Sequence, residues 1–308
     1  MSYFADLRIR TPFAHLSALA TLCLLLLLPA NTSAQDVSRQ LDVVFCNHDG
    51  TYLRADIAFP SELQGTYPAL IYISGSGWGH WWGYGMDRHQ FNSAIVTAAE
   101  HGYVAATVDY RPTSIKEKGK AKYPHPAQLA DVRSAVRWLR ANAARYHIDA
   151  NHIGAIGWSS GGHLSLMLGL AGPEPDPKAT DNASFSSQVQ AVVSLAGPTE
   201  LSLMYDEASY PGVSDALSDL MGGTPEQVPA NYRRASPLYY VTHNAPPILI
   251  IQGDNDTEVP YNQATLFVDA MKSVGAPVSM VVLKGFGHLN AYYHEAIFPF
   301  FDKELKTK

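Results

Sequence analysis

Two short stretches early in the chain alternate apolar and polar residues. Leu41-Asp42-Val43-Val44-Phe45 and Tyr52-Leu53-Arg54-Ala55-Asp56-Ile57 flank Asn47-His48-Asp49-Gly50. A period of two marks strands with one wet face, and Asp-Gly suits a tight turn. The spacing therefore predicts a hairpin at the antiparallel edge of a larger sheet. Beyond it the pattern changes. Ala69–Ile73, Tyr103–Val108, His152–Ile156, Val189–Leu195, Ile248–Ile251 and Val278–Leu283 are short, largely continuous apolar runs. Helical patterns separate them: Phe91–Glu100, Ala127–Tyr146 with Leu129, Val132, Val136 and Leu139 on one stripe, a run after Gly162, Gln263–Val274, and Asn290–Leu305. Strands apolar on both faces that alternate with helices predict an α/β chain, a mostly parallel central sheet with helices on both faces. Two segments break the rhythm. Tyr110–Pro126, with Lys116, Lys118, Lys120 and Lys122, reads as a solvated loop. Residues 197–237 read as a small cap or an active-site loop insertion.

Residues 1–34 have the pattern of a signal peptide. Arg8 and Arg10 precede the apolar run Leu16–Leu28, Pro29 breaks it, and Thr32-Ser33-Ala34 offers a small-residue cleavage site. The run is short for a bilayer span, so no stable membrane anchor is expected. This leaves 35–308 as a single domain, secreted or periplasmic. Hydrophobic residues make up 46% and charged residues 16%, which suits a chain with a substantial core. A net charge of −6 without basic clusters argues against a nucleic-acid partner. Cys23 lies in the leader, so Cys46 remains without a partner for an intrachain disulfide.

The candidate chemistry centres on Gly157-Trp158-Ser159-Ser160-Gly161-Gly162. A strand pattern precedes it and a helix pattern follows, the context of a Gly-x-Ser-x-Gly nucleophile elbow. A serine hydroxyl needs a base, and the base needs an acid to orient it. Loops after the later strands carry both. Lys284-Gly285-Phe286-Gly287-His288 offers His288 as the base. Gln252–Pro260 offers Asp256, with Asp254 and Glu258 as competitors on the same loop. Asp256 is preferred because Asp254 is better placed to shape the turn. Acyl transfer also needs donors for the oxyanion. The glycine-rich Ser74-Gly75-Ser76-Gly77-Trp78-Gly79 loop and the N–H of Ser160 are candidates. The histidines show no recognised metal-ligand spacing, so neither metal nor cofactor is expected.

With these residues in place, the chain resembles the α/β-hydrolase superfamily over about residues 41–305. Within it, it looks most like the carboxylesterases of the hormone-sensitive-lipase and feruloyl-esterase-like (BD-FAE-like) branches. The resemblance is carried by Ser74–Trp78, Tyr123-Pro124-His125-Pro126, Ile148-Asp149, Gly157–Gly162, Gly253–Pro260 and Gly285–His288. It implies an α/β-hydrolase fold with Ser159 as nucleophile, His288 as base and Asp256 as its acid. It also implies Ser76, Gly77 and Ser160 as oxyanion donors. The chain departs from the family at the oxyanion loop, where His-Gly-Gly-Gly is common. Ser74 stands in place of a loop-bracing histidine and Ser76 in place of a glycine. Trp78, Trp81 and Trp82 follow this loop and can stack on a substrate or pack in the core. The resemblance implies an esterase acting on small-molecule or polysaccharide esters, with acetyl or feruloyl groups on polysaccharide as one class. A prolyl-oligopeptidase-like peptidase and a non-catalytic binding protein on a hydrolase scaffold are the alternatives.

Overall fold

The computed structural model describes residues 36–62, 64–80, 88–172, 182–289, 291–292 and 294–306. The proposed leader lies outside these residues, as do Trp81 and Trp82. The strands are β1 (Val37–His48), β2 (Thr51–Pro60), β3 (Tyr67–Ile73), β4 (Val104–Val108), β5 (Lys116–Glu117), β6 (Lys120–Ala121), β7 (Ile148–Trp158), β8 (Ala191–Leu195), β9 (Ile248–Gly253) and β10 (Val278–Leu283). The helices are α1 (Asn92–Glu100), α2 (Ala127–Ala141), α3 (Ala143–Tyr146), α4 (Ser160–Leu170), α5 (Leu201–Glu207), α6 (Val213–Met221), α7 (Pro229–Ala235), α8 (Tyr261–Ser273) and α9 (Ile297–Leu305). Among the described residues the main sheet has eight strands in the order β1-β2-β4-β3-β7-β8-β9-β10. The hairpin β1–β2 is antiparallel, and β2 meets β4 antiparallel. All other neighbours in this sheet pair in parallel.

The continuous apolar strands explain why both faces are covered. In β3, Ala69, Ile71 and Ile73 pack in one core with Leu129, Val132 and Val136 of α2, Leu164 of α4 and Phe267 of α8. Leu70 and Tyr72 pack in the other, with Ile95 and Ala98 of α1 and Phe301 and Leu305 of α9. Because side chains alternate along a strand, one apolar run serves two cores. Register then sets the position of the site. Ile73 pairs with Gly157, Trp158 with Leu195, Leu195 with Ile251, and Leu283 with Gly253. The loops that leave β3, β7, β8, β9 and β10 therefore start at one level on one edge, the place where open α/β sheets build binding sites.

The differences from the sequence reading are local. The long helix expected over 127–146 is interrupted at Asn142, whose Nδ2 donates to Trp138 O at 2.9 Å, and resumes as α3. The last helix begins at Ile297 rather than Asn290. Pro299 lacks an N–H, so it fits only the first turn, and the helix starts where that condition holds. The segment 110–126 is not all loop, because Lys116–Glu117 and Lys120–Ala121 form a small hairpin. Residues 197–237 fold largely as α5, α6 and α7.

Buried charge ties the edge hairpin to the sheet. Arg111 Nε donates to both oxygens of Asp131 at 3.0 Å, and its backbone N–H donates to Oδ2 at 2.7 Å. His48 Nδ1 lies 2.6 Å from Asp131 Oδ1, and Arg111 Nη1 donates to Asp49 at 2.8 Å. Asp131 is wholly buried. Removing one partner of such a group strands a charge in the interior, at a cost of about 3–5 kcal/mol. Arg111→Met is expected to lower unfolding stability by about that amount in urea titration. Lys303→Met breaks an ion pair whose lysine is 80% exposed. It should change stability by less than about 1 kcal/mol.

Candidate active site

β7 ends at Trp158, α4 begins at Ser160, and Ser159 joins them with φ 57° and ψ −125°. This is a sparsely populated conformation for a residue with a side chain, and it persists only where the surroundings over-determine it. Here they do. Ser159 N–H donates to Leu195 O at 2.8 Å, and its carbonyl accepts from His163 N at 3.0 Å. The flanking glycines permit the close packing. A Cβ on Gly157 would lie 2.2 Å from Gly161 O, and one on Gly161 would lie 2.1 Å from Ile73 O. Both distances are far inside contact, so only glycine serves at either position.

His288 follows β10 and Asp256 follows β9. His288 Nδ1 lies 2.8 Å from Asp256 Oδ2. Three further donors hold that carboxylate: Gln252 Nε2 to Oδ2 at 3.0 Å, and the N–H groups of Glu258 and Val259 to Oδ1, each at 2.9 Å. The Asp256 side chain is fully buried and that of His288 is 6% exposed. Trp158 packs beside the imidazole, with ring centroids 5.1 Å apart. Asp254 has a different partner set. It accepts from Gly285 N at 2.6 Å and pairs with Lys284 at 3.2 Å, holding the β9 and β10 exit loops together. Glu258 lies on the other side of the ring, its Oε2 3.8 Å from His288 Nε2. Burial raises the Glu258 carboxyl above the usual carboxylate range. The neighbouring His288 opposes that shift and Asp256 adds to it. His288 Nε2 is buried and makes no hydrogen bond among the described residues. Ser159, His288 and Glu258 line one cleft of about 110 Å³, with Tyr210 and the Gly75–Gly77 loop.

The oxyanion-loop expectation needs one correction. Ser76 N–H donates to Ser160 Oγ at 3.0 Å, so it already has an acceptor. Its hydroxyl also turns into the scaffold, accepting from Gly79 N at 3.0 Å and meeting Tyr110 Oη at 3.3 Å. Tyr110 in turn donates to Ser74 O at 3.0 Å. Ser76 thus ties the loop to α4 and Tyr110 while forming part of the cleft wall, its hydroxyl engaged by Gly79 and Tyr110. Gly77 and Ser160 line a recess beside Ser159. Ser160 N–H sits in the first turn of α4, where helix geometry provides no acceptor.

Trp78 is 2% exposed. Its Nε1–H donates to His163 Nδ1 at 3.1 Å, and His163 Nε2–H donates to Ala235 O at 2.6 Å. Burial holds the His163 imidazole down to about 4, in keeping with a neutral ring accepting at one nitrogen and donating at the other. Trp78 is therefore core support whose edge borders the recess. That recess, about 10 Å³, is also walled by Pro198, Met204, Val213 and Ala216, and by Glu258 and Val259. The 197–237 segment supplies the first four of these residues as well as Tyr210 at the cleft. Ser209 and Tyr210 N–H groups anchor to Thr257 O at 3.1 and 3.2 Å. Sequence reasoning missed Tyr110, Gln252 and His163. Nothing in their spacing marks them, because their partners are distant in the chain or reached only through the turn.

The sequence profile of the BD-FAE family matches residues 55–271. Among curated proteins, Esterase LipC of Mycobacterium tuberculosis is 32% identical over 229 residues, covering 72% of this chain and 52% of its own length. The chain spans about half the length of the curated relatives it matches. Among solved structures, a truncated carbohydrate esterase from gut microbiota superposes with a TM-score of 0.71 at 26% identity, covering 91% of this chain and 99% of that one. A bifunctional GH43-CE protein of Bacteroides eggerthii gives 0.73 at 27% identity, covering 86% of this chain and 38% of that one. The parallel sheet, the strained serine turn and the profile match agree: the chain belongs to the BD-FAE family, a carboxylesterase branch of the α/β hydrolases.

Proposed function

We propose that this chain is a secreted serine esterase that cleaves short-chain carboxylic esters through Ser159, His288 and Asp256. One observation carries the reading. His288 holds Asp256 through Nδ1 and leaves Nε2 without a hydrogen bond among the described residues, beside the cleft that Ser159 lines. In the proposed route Nε2 takes the proton of Ser159 Oγ as the hydroxyl attacks the carbonyl carbon. Asp256 keeps the proton of the ring on Nδ1 and stabilises the imidazolium that forms. The N–H groups of Gly77 and Ser160 receive the oxyanion. Nε2–H then protonates the leaving alcohol, giving an acyl-enzyme. Water, activated by the same nitrogen, releases the acid and restores Ser159.

The recess beside Ser159 supports a small acyl group. At about 10 Å³ it has room for roughly one group the size of a water molecule. An acetyl group suits that volume, whereas a feruloyl group would have to lie in the open cleft. Acetyl esters on polysaccharide are the substrate class we favour. The kinship with a carbohydrate esterase supports it, and the export pattern of residues 1–34 is consistent with an external polymer.

Three outcomes test this. Ser159→Ala should abolish p-nitrophenyl acetate hydrolysis, a loss of about 10⁴-fold or more in kcat. Activity within tenfold of wild type would reject Ser159 as nucleophile. With the wild type, kcat/KM should fall from p-nitrophenyl acetate through butyrate to octanoate, and a preference for octanoate would reject the short-acyl reading. Tyr110→Phe removes the hydroxyl that braces Ser74 and Ser76. Steady-state kinetics should show kcat reduced about tenfold with KM changed little, because an oxyanion loop acts mainly in the transition state.

A further inference from the structure

The carboxylate of Glu258 stands apart from the other acids around the cleft. Asp256 has four hydrogen-bond donors, and Asp254 bridges two loops. Glu258 lines both the main cleft and the recess, its side chain only 24% exposed, yet it accepts no hydrogen bond among the described residues. Its Oε2 lies 3.8 Å from His288 Nε2, beyond hydrogen-bond range. The carboxylate opens to the cleft, where water serves it until a substrate hydroxyl takes that place.

Its position indicates which hydroxyl that is. In the triad route Nε2 must come within hydrogen-bond reach of the leaving oxygen to protonate it. Glu258 borders the recess with Gly77 and Ser160 as well as the cleft with His288, and its Oε2, 3.8 Å from Nε2, is within reach of the alcohol half of an ester whose leaving oxygen meets that nitrogen. A hydroxyl on the carbon next to the ester-bearing carbon can reach Glu258 while the ester oxygen meets His288. We propose that Glu258 is a specificity-determining acceptor for such a hydroxyl. It selects monoesters of vicinal diols, the arrangement shared by partly acylated sugars and glycerol. The proposal rests on the serine-esterase reading and deepens it. It gives the selectivity to one side chain instead of to the aromatic residues near the oxyanion loop.

A matched pair of esters tests it. Ethylene glycol monoacetate carries the adjacent hydroxyl, and 2-methoxyethyl acetate carries the same oxygen without its proton. The readout is the ratio of kcat/KM for the two, in which any effect on His288 common to both cancels. The wild type should prefer the hydroxyl ester by about 10- to 100-fold, the range expected of a hydrogen bond to a charged group. Glu258→Leu should bring the ratio to about 1, and Glu258→Gln, which keeps one carbonyl oxygen, should give an intermediate value. Glycerol monoacetate and a mono-O-acetylated methyl xyloside then separate the two natural sources by which gains more from Glu258. A wild-type ratio near 1 overturns the proposal, even if the variants fail to fold. So does a ratio left unchanged by Glu258→Leu, which would mean that the carboxylate acts only through His288. Absence of p-nitrophenyl acetate hydrolysis in the wild type would instead count against the triad reading.

Discussion

The structure depends on how closely α4 approaches the end of β3. At Gly161 the position a Cβ would occupy is 2.1 Å from Ile73 O, and at Gly157 it is 2.2 Å from Gly161 O. With no side chains in the way, the first turn of α4 lies directly against the loop that leaves β3. This brings Ser160 N–H, Gly77 and Ser159 to one small volume. The strained angles at Ser159 are a consequence: the chain must reverse from strand to helix within one residue, and the bonds from Leu195 and His163 hold it there. A bulkier residue at either glycine would separate the loop from the helix and disperse the amides that the proposed chemistry uses.

The proposed acid–base side is built by a different means. Asp256 and His288 come from loops after neighbouring parallel strands, so the register of β9 with β10 delivers them together. Asp254, Lys284 and Gly285 lock the two loops, and Gln252 and two backbone N–H groups orient the Asp256 carboxylate. The imidazole is thus held at Nδ1 and packed by Trp158 on one side, with Nε2 at the cleft. These bonds set the geometry in the resting protein, which lowers the reorganisation the proposed reaction needs. The 197–237 segment adds the remaining wall. Its attachment through Thr257 places Tyr210 next to the same loop that carries Asp256 and Glu258.

Much of this was legible in the sequence, for identifiable reasons. Apolar runs with both faces buried marked the parallel strands, and the Asp-Gly turn marked the edge hairpin. The elbow glycines marked Ser159, because a close approach leaves a residue-type signature. His288 and Asp256 were legible through their place after predicted strands and through the resemblance to hydrolases. What escaped was set by contacts across the fold. Tyr110 braces Ser74 across 36 positions. Ser76, read as an oxyanion donor, is taken by Ser160, 84 positions away. Asp256 was preferred over Asp254 on the ground that Asp254 suits the turn, and Asp254 does bond Gly285 N while Asp256 faces Nδ1; what loop sequence did not reveal is that Glu258 lies at Nε2. The late start of the final helix was readable in principle from Pro299.

The central claim is that Ser159 is the residue that becomes acylated. The most direct measurement is intact and peptide mass spectrometry of the protein after reaction with a fluorophosphonate. The account expects one phosphonyl adduct per chain, carried by the peptide containing Ser159, with no adduct on a folded Ser159→Ala variant. A single adduct on another residue, or none on wild-type protein shown to be folded, would contradict it.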